Sequence, residues 1–554
     1  MSDAQTPARP EAAVLADVDL ALRADDLERA ARVAERAVEE GSGHPLLLGL
    51  AAYRLKERGR FAEAIDMAVR AHKTDPQDVT VLRVLADALA HQNRFDEALK
   101  VLDEALRLNP DYAEGHYGRG VVLEALGQLQ GAMDCYRRAN ELEPNYPGPL
   151  AGAASLALRL GEFERARGAA EQALKLGSRR SGALLTLAQL DLAETHPEHA
   201  RVRLETALAG GALTALHVPD ARVLLGDALD AEGKRAEAFA SWSSGKAAWR
   251  EMYASTYARP GLETAPQLVA RLTRQFEALS PAVWSGPVAA PAEPPPCRQH
   301  VFLVGFPRSG TTLLEQVLAS HEDIVTLEER ETLIDAEVDL ISAPDGLEYL
   351  ADLEEAALAR YRDGYWGRVA SFRLPTPGRV FVDKLPLNSI KLPLIAKLFP
   401  RAKVLLARRD PRDVVFSCFR QNFRPNAFMH EFTTLEGAAG LYDAVMRLMS
   451  LYEERLPLDR RLVRYEDLVA DFEAQTRAVC EFLGVAWSPA MADFAETAKA
   501  RPIRTPSARQ VARGLYASGV GRWRPYAEQL ASILPVLEPW VEAFGYGETA
   551  AGAA

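Results

Sequence analysis

The two halves of the chain carry different patterns of apolar and polar positions. In the C-terminal half, short apolar runs recur between helical stretches, at Val301–Val304, Val380–Val382, Lys403–Ala407 and Arg461–Arg464. Runs of this length and spacing predict an α/β sheet with helices on both faces. The N-terminal half has a longer period. Ala30, Ala64, Ala98, Ala132, Ala166 and Ala200 stand 34 residues apart, and Ala37, Ala71, Ala105, Ala139, Ala173 and Ala207 repeat that spacing seven residues further on. Pro76, Pro110 and Pro144 share the 34-residue period. Small residues belong where paired helices cross, because a larger side chain there would hold the backbones apart. Each proline follows a helix that it cannot continue. After Ala207 the phase slips by four residues, and Leu224–Gly226 with Ala238 predicts a seventh, closing helix pair.

Helix pairs at this period resemble the tetratricopeptide repeat family, over about residues 12–256. The resemblance implies a solenoid that binds a protein or peptide segment. An arm serving only stability or homodimerisation fits the pattern equally well. A helix is expected near Pro266–Leu279. After it, Ser285–Pro296 is rich in proline and alanine and reads as a semi-rigid linker. The expected organisation is therefore an all-α solenoid at 12–256, a helix and linker at 257–297, and an α/β domain with a mainly parallel sheet at 298–546.

Composition narrows the function classes. At 554 residues the chain exceeds a single core, and 48% apolar with 26% charged residues is ordinary for a globular protein. A net charge of −12 speaks against general binding of nucleic acid or of an anionic membrane. The first residues show no basic start followed by an apolar stretch, and no apolar run reaches the roughly 18 residues of a membrane span. The four cysteines, Cys135, Cys297, Cys418 and Cys480, lie far apart and suggest neither a disulfide framework nor a zinc site. The expected compartment is the cytoplasm.

The candidate chemistry starts at Val301–Thr312. A buried strand, Val301–Val304, runs through a turn with Gly305 and Gly310 into a helix predicted over Thr311–Ser320. Such a strand–loop–helix aims backbone N–H groups at an anion on the helix N-terminus. A nucleotide triphosphatase loop would continue Gly-Lys-Ser/Thr, with lysine on the β/γ-phosphates and the hydroxyl on Mg²⁺. Here Gly310 is followed by Thr311 and Thr312, and the cation, Arg308, lies inside the loop. Further along, the strand Lys403–Ala407 runs into Arg409 and Asp410-Pro411, a good N-cap with proline at N1. Arg409 and Ser417, on the helix that follows, could clamp a terminal phosphate. Taken alone, Arg409 reads more simply as a solvated surface pair, and the loop upstream reverses that balance. His321 and His430 have no partner at ligand spacing and read as structural.

Pro307-Arg308-Ser309-Gly310-Thr311-Thr312 resembles the 5′-phosphosulfate loop of sulfotransferases that use 3′-phosphoadenosine 5′-phosphosulfate (PAPS). The likeness is nearest the tyrosylprotein sulfotransferase branch, over about residues 300–545. It implies that Arg409 and Ser417 hold the 3′-phosphate and that Glu329, 21 residues after the loop arginine, is the general base. By the same resemblance Lys384 neutralises the leaving oxygen, and Tyr465, Ser507 and Arg522 support the nucleotide, without a metal. On local sequence a solvated acid is the lesser alternative for Glu329, and an exposed strand end is an equal one for Lys384. The branch carries basic residues just beyond its Glu-Glu pair, where this chain has Arg330-Glu331, and its secretory anchor has no counterpart here. The expected activity is transfer of a sulfuryl group to an acceptor hydroxyl, such as a protein tyrosine or a glycan. The rivals are a P-loop kinase or nucleotide triphosphatase and a repeat scaffold carrying an inactive enzyme domain.

Overall fold

The computed structural model describes residues 10–24, 26–177, 181–285, 295–495 and 519–547. They form two compact units, Met1–Leu262 with Arg424–His430, and Glu263–Phe423 with Glu431–Ala554. Among the described residues of the first unit, fourteen α-helices run from Glu11–Arg23 to Arg235–Tyr257, and consecutive helices pack pairwise. The periodic alanines all lie on the second helix of a pair. Ala30, Ala64, Ala98, Ala132, Ala166 and Ala200 are fully buried, and the second series is buried with them. The period in the sequence is thus the period of helix crossings. The proline period works through the residue before it. Asp75, Asn109 and Glu143 end their helices with φ between −138° and −129°, the extended backbone that a following proline enforces. Asp26 and Asp78 cap the helices Leu27–Glu39 and Val79–His91 by accepting backbone N–H groups.

Arg424–His430 packs within this helical unit. The Pro425 carbonyl accepts hydrogen bonds from the Asn93 side chain and, at 3.1 Å, from the Tyr257 hydroxyl. The Arg424 guanidinium donates to the Ala125 carbonyl at 2.5 Å.

The second unit is built on five parallel strands, β1 (Gln299–Gly305), β2 (Ile324–Glu328), β3 (Val380–Lys384), β4 (Lys403–Arg408) and β5 (Asp459–Arg464). Their order in the sheet is β2-β3-β1-β4-β5. The inner strands are covered on both faces, which is why they read as unbroken apolar runs and not as alternation. Val301–Val304 is fully buried, and each such side chain stabilises by about 1.5–3 kcal/mol. Strand β2 is not among the apolar runs expected from sequence. It is a short edge strand of four buried residues followed by Glu328. The core gathers Val301, Leu303, Leu314, Val317, Val380, Val382 and Leu405. The helix Ala265–Ala278 belongs to this unit and packs on Leu435–Arg455, where Phe276 meets Tyr452 edge-on at 4.7 Å. No helix among the described residues is long and apolar enough to cross a membrane.

Candidate functional site

All five strands are parallel, so their carboxyl ends share one edge, where ligands of such sheets collect. At the end of β1 the chain turns at Gly305, whose missing Cβ would stand 2.6 Å from the Ala407 carbonyl of β4. Only glycine allows the loop to leave so close to the neighbouring strand. Gly310 closes the loop with φ +98° and caps the helix Thr311–Ala319; a Cβ there would also strike the Tyr465 ring, at 2.8 Å. Pro307, Ser309, Thr311 and Thr312 are buried around this helix start. Arg308 takes φ +70° and Glu329 φ +43°. Both are L-residues held in a region that non-glycine side chains rarely adopt, and such strain concentrates at functional sites.

Two charged clusters follow. In the first, Arg308 Nε donates to Ser417 Oγ at 2.9 Å, and Arg409 donates to the Arg308 carbonyl at 3.3 Å and to the Gly519 carbonyl. The Arg409 guanidinium lies 4.8 Å from the centre of the Tyr465 ring. Asp413 accepts backbone N–H groups from Gly521 at 2.7 Å and Trp523 at 3.0 Å, so exposed Arg522 sits between two anchored neighbours. Burial raises the Asp413 carboxyl above its usual value, although Arg409 and those two N–H groups oppose the shift. Thus Arg308, Arg409, Ser417, Tyr465 and the Gly519–Trp523 segment come together. Ser507 lies outside the described residues.

The second cluster centres on Lys384, the last residue of β3. Its side chain is fully buried among three carboxylates, Glu329 at 2.8 Å, Glu315 at 3.3 Å and Glu328 at 3.8 Å. The Glu329 N–H also donates to the Lys384 carbonyl at 2.7 Å, so the residue after β2 continues the pairing with β3. Burial alone would favour neutral Lys384, but Glu329, Glu315 and Glu328 outweigh it and raise its pKa, leaving the ammonium charged. Sequence reasoning missed Glu315 and Glu328. Glu315 lies one turn into the helix that follows the loop, inside an apolar stretch. A charged residue in the middle of Leu313-Leu314-Glu315-Gln316-Val317 was the available signal. Next to this cluster, Asp383 accepts from Thr332 at 2.7 Å and from Tyr365 at 2.8 Å, and burial pushes it up to about 6. Elsewhere His321 bonds the Ala486 carbonyl at 2.6 Å and the Asp323 N–H at 3.0 Å, a structural tie.

Within the helical unit, a cavity of about 470 Å³ is lined by Tyr117, Glu124, Tyr136, Ser155 and Gln189, with Arg424 and Pro425 at its wall.

Comparison with known proteins bears on both units. Residues 300–489 match the sulfotransferase family, and residues 48–113 and 83–147 match the tetratricopeptide repeat. An uncharacterized protein of Aquifex aeolicus (strain VF5) is 30% identical over 255 residues, 44% of this chain and 33% of that protein. A protein-tyrosine sulfotransferase 2 of Gallus gallus is 27% identical over 199 residues, 34% of this chain and 52% of that enzyme. The chain thus spans a third to about half the length of these two relatives. A thermophilic tetratricopeptide-repeat protein of Thermus thermophilus, known from its crystal structure, is 24% identical. It covers 33% of this chain and 100% of its own, with a TM-score of 0.29. With a parallel sheet and charged strand ends in the second unit, and paired helices in the first, the chain carries a segment that matches the tetratricopeptide repeat followed by one that matches the sulfotransferase family.

Proposed function

We propose that the second unit transfers a sulfuryl group from PAPS to an acceptor hydroxyl. The observation that carries this reading is the cation placement. Arg308 lies within the loop, Thr311 stands where a triphosphatase lysine would be, and a buried lysine–glutamate pair closes the neighbouring strand ends. The residues suit such a donor: the loop after Gly305 and the N–H groups at Thr311 and Thr312 favour a 5′-phosphosulfate. Pro307, Arg308, Ser309 and Gly310 complete that cradle. Arg409, Ser417 and Arg522 would hold the 3′-phosphate, with Tyr465 supporting the nucleotide and Ser507 assigned by resemblance alone.

In the transfer, Glu329 takes the proton from the acceptor hydroxyl as its oxygen attacks sulfur. The bond from sulfur to the bridging oxygen breaks, and Lys384 offsets the charge that grows there. Adenosine 3′,5′-bisphosphate leaves. Arginine and lysine carry the electrostatic work, so the reading requires no metal. Arg330 lies over the Phe372 ring at 4.8 Å and Glu331 stands 3.5 Å from Lys391, which weighs against an acidic peptide as acceptor. A protein tyrosine or a glycan fits. We assign recruitment of a protein or peptide to the solenoid at 12–256, and transfer to the domain at 298–546 beyond the 257–297 segment. We place the protein in the cytoplasm, in keeping with the free cysteines Cys135, Cys297, Cys418 and Cys480.

The test is turnover of sulfur-labelled PAPS by the full chain with cell lysate as acceptor, alongside binding of 3′,5′-bisphosphoadenosine and of ATP with Mg²⁺. Labelled product formed in EDTA, with preference for the bisphosphate, is expected. Preference for ATP with Mg²⁺ would instead favour a kinase. Bisphosphate binding without turnover would favour a scaffold with an inactive domain.

A further inference from the structure

We propose that Glu315 is a positioning residue for the transfer, holding the Lys384 ammonium in place while Glu329 takes up the acceptor's proton. The inference rests on the functional reading above, because it concerns the moment when Glu329 changes charge. Lys384 Nζ lies 2.8 Å from a Glu329 oxygen. As Glu329 becomes protonated, that attraction collapses at the stage when Lys384 must face growing charge on the leaving oxygen. A second carboxylate is needed to keep the ammonium where it was.

Glu315 is placed for this. One of its oxygens lies 3.3 Å from Lys384 Nζ, and the other accepts from Thr326 Oγ1 of β2 at 3.1 Å. Its side chain is 1% exposed, against 12% for Glu328 and 33% for Glu329. It is therefore the most enclosed of the three and the one tied to both the loop's helix and the sheet. Its carboxylate contacts are Thr326 and Lys384, so its action runs through Lys384. Three carboxylates around one buried ammonium leave excess negative charge, which is costly beside an anionic donor. One of them is expected to share a proton near neutrality. Burial, with Glu328 and Glu329 as like charges and Lys384 opposing, pushes Glu315 up to about 7. The charged groups facing it are Lys384 from β3, Glu328 from β2 and Glu329 just after it. Below neutrality Glu315 is protonated and Lys384 depends on the other two; above it, Glu315 holds the ammonium fully.

The test has two readouts on the full chain. In the first, the side-chain nitrogen of Lys384 is followed by NMR in ¹⁵N-lysine protein, its signal identified by its loss in Lys384→Arg. A step in that signal with a midpoint near pH 7 is expected, absent in Glu315→Gln and retained in Glu328→Gln. A step that survives Glu315→Gln overturns the proposal. In the second, Glu315→Gln should lower kcat about ten- to a hundredfold, the scale of a misplaced catalytic group, with KM for PAPS within about twofold. Its kcat–pH profile should lose the rise through neutrality. A variant that melts earlier but keeps the wild-type kcat and profile makes Glu315 merely structural. If the wild type transfers nothing from PAPS, the functional reading fails, while the NMR titration still decides whether Glu315 holds Lys384.

Discussion

Lys384→Met should destabilise the second unit in a pH-dependent way, whatever reaction the domain performs. The substitution keeps an unbranched side chain of similar length and removes the charge. Lys384 is fully buried, with carboxylates at 2.8, 3.3 and 3.8 Å, so the variant leaves three acids around a site with no cation. Removing one partner of a buried pair costs about 3–5 kcal/mol. At about 2–4 °C of melting temperature per kcal/mol for a domain of this size, the fall is about 6–20 °C. The sign with pH follows from Glu315. Its folded pKa is about 7, above the ordinary 4.5, so protonation favours the folded state. That contribution is complete below about pH 4.5 and is lost as pH rises through about 7. Without Lys384 the carboxylates are harder still to ionise in the folded state, so the penalty grows toward alkaline pH. Calorimetric melts of both proteins at pH 5.5 and 8 should show a difference at pH 5.5 of about half that at pH 8 or less. Equal differences at both values, or none at pH 8, would refute the claim that Lys384 neutralises a buried acidic cluster.

Arg308→Ala should lose transfer with the fold intact, at about 2–4 kcal/mol of transition-state stabilisation; full turnover in steady-state assays would undo the loop assignment. Glu329→Gln should lower turnover about 10²–10⁴-fold and barely change bisphosphate affinity by calorimetry. Arg409→Ala should weaken the bisphosphate by about 1.5–3 kcal/mol, and equal weakening in both variants would make Glu329 structural. Gly305→Ala should perturb the loop, since its Cβ would meet the Ala407 carbonyl at 2.6 Å; unchanged bisphosphate binding would count against a loop role for that approach. His300 is buried and lowered to about 3 from 6.5 by desolvation, so it contributes stability above about pH 6.5 that is lost as pH falls toward 3. His300→Asn should flatten the decline of melting temperature with acidification.

How much of this was legible in the sequence depended on the range of the interactions involved. The solenoid was legible because each repeat contacts mainly its neighbours, so one buried alanine position recurs with the period of the chain itself. Ala64, Ala98 and Ala132 have the same surroundings, and their spacing states it. The strands β1, β3 and β4 were legible because burial on both faces demands an unbroken apolar run. In the loop, Gly310 was legible because it serves local geometry through its φ of +98°, whereas the reason for Gly305, its approach to the Ala407 carbonyl of β4, lies in the sheet. Strand β2 was not, since an edge strand of four apolar or β-branched residues ending in Glu328 carries little apolar signal of its own.

What the sequence by itself determined was the two architectures and the positions of most charged candidates. Only the tertiary structure decided who meets whom. Glu315, Glu329 and Lys384 come from a helix, the turn after an edge strand and a central strand, and their convergence follows from the register that sets Glu328 opposite Lys384. Arg308 and Ser417, 109 residues apart, meet at 2.9 Å because the helix Pro411–Arg420 starts from the strand beside β1. Such pairings are fixed by strand order, which no local pattern encodes. A buried charge is tolerated only where that order also delivers its partner, and so the acidic cluster around Lys384 exists as a property of the fold and of no single segment.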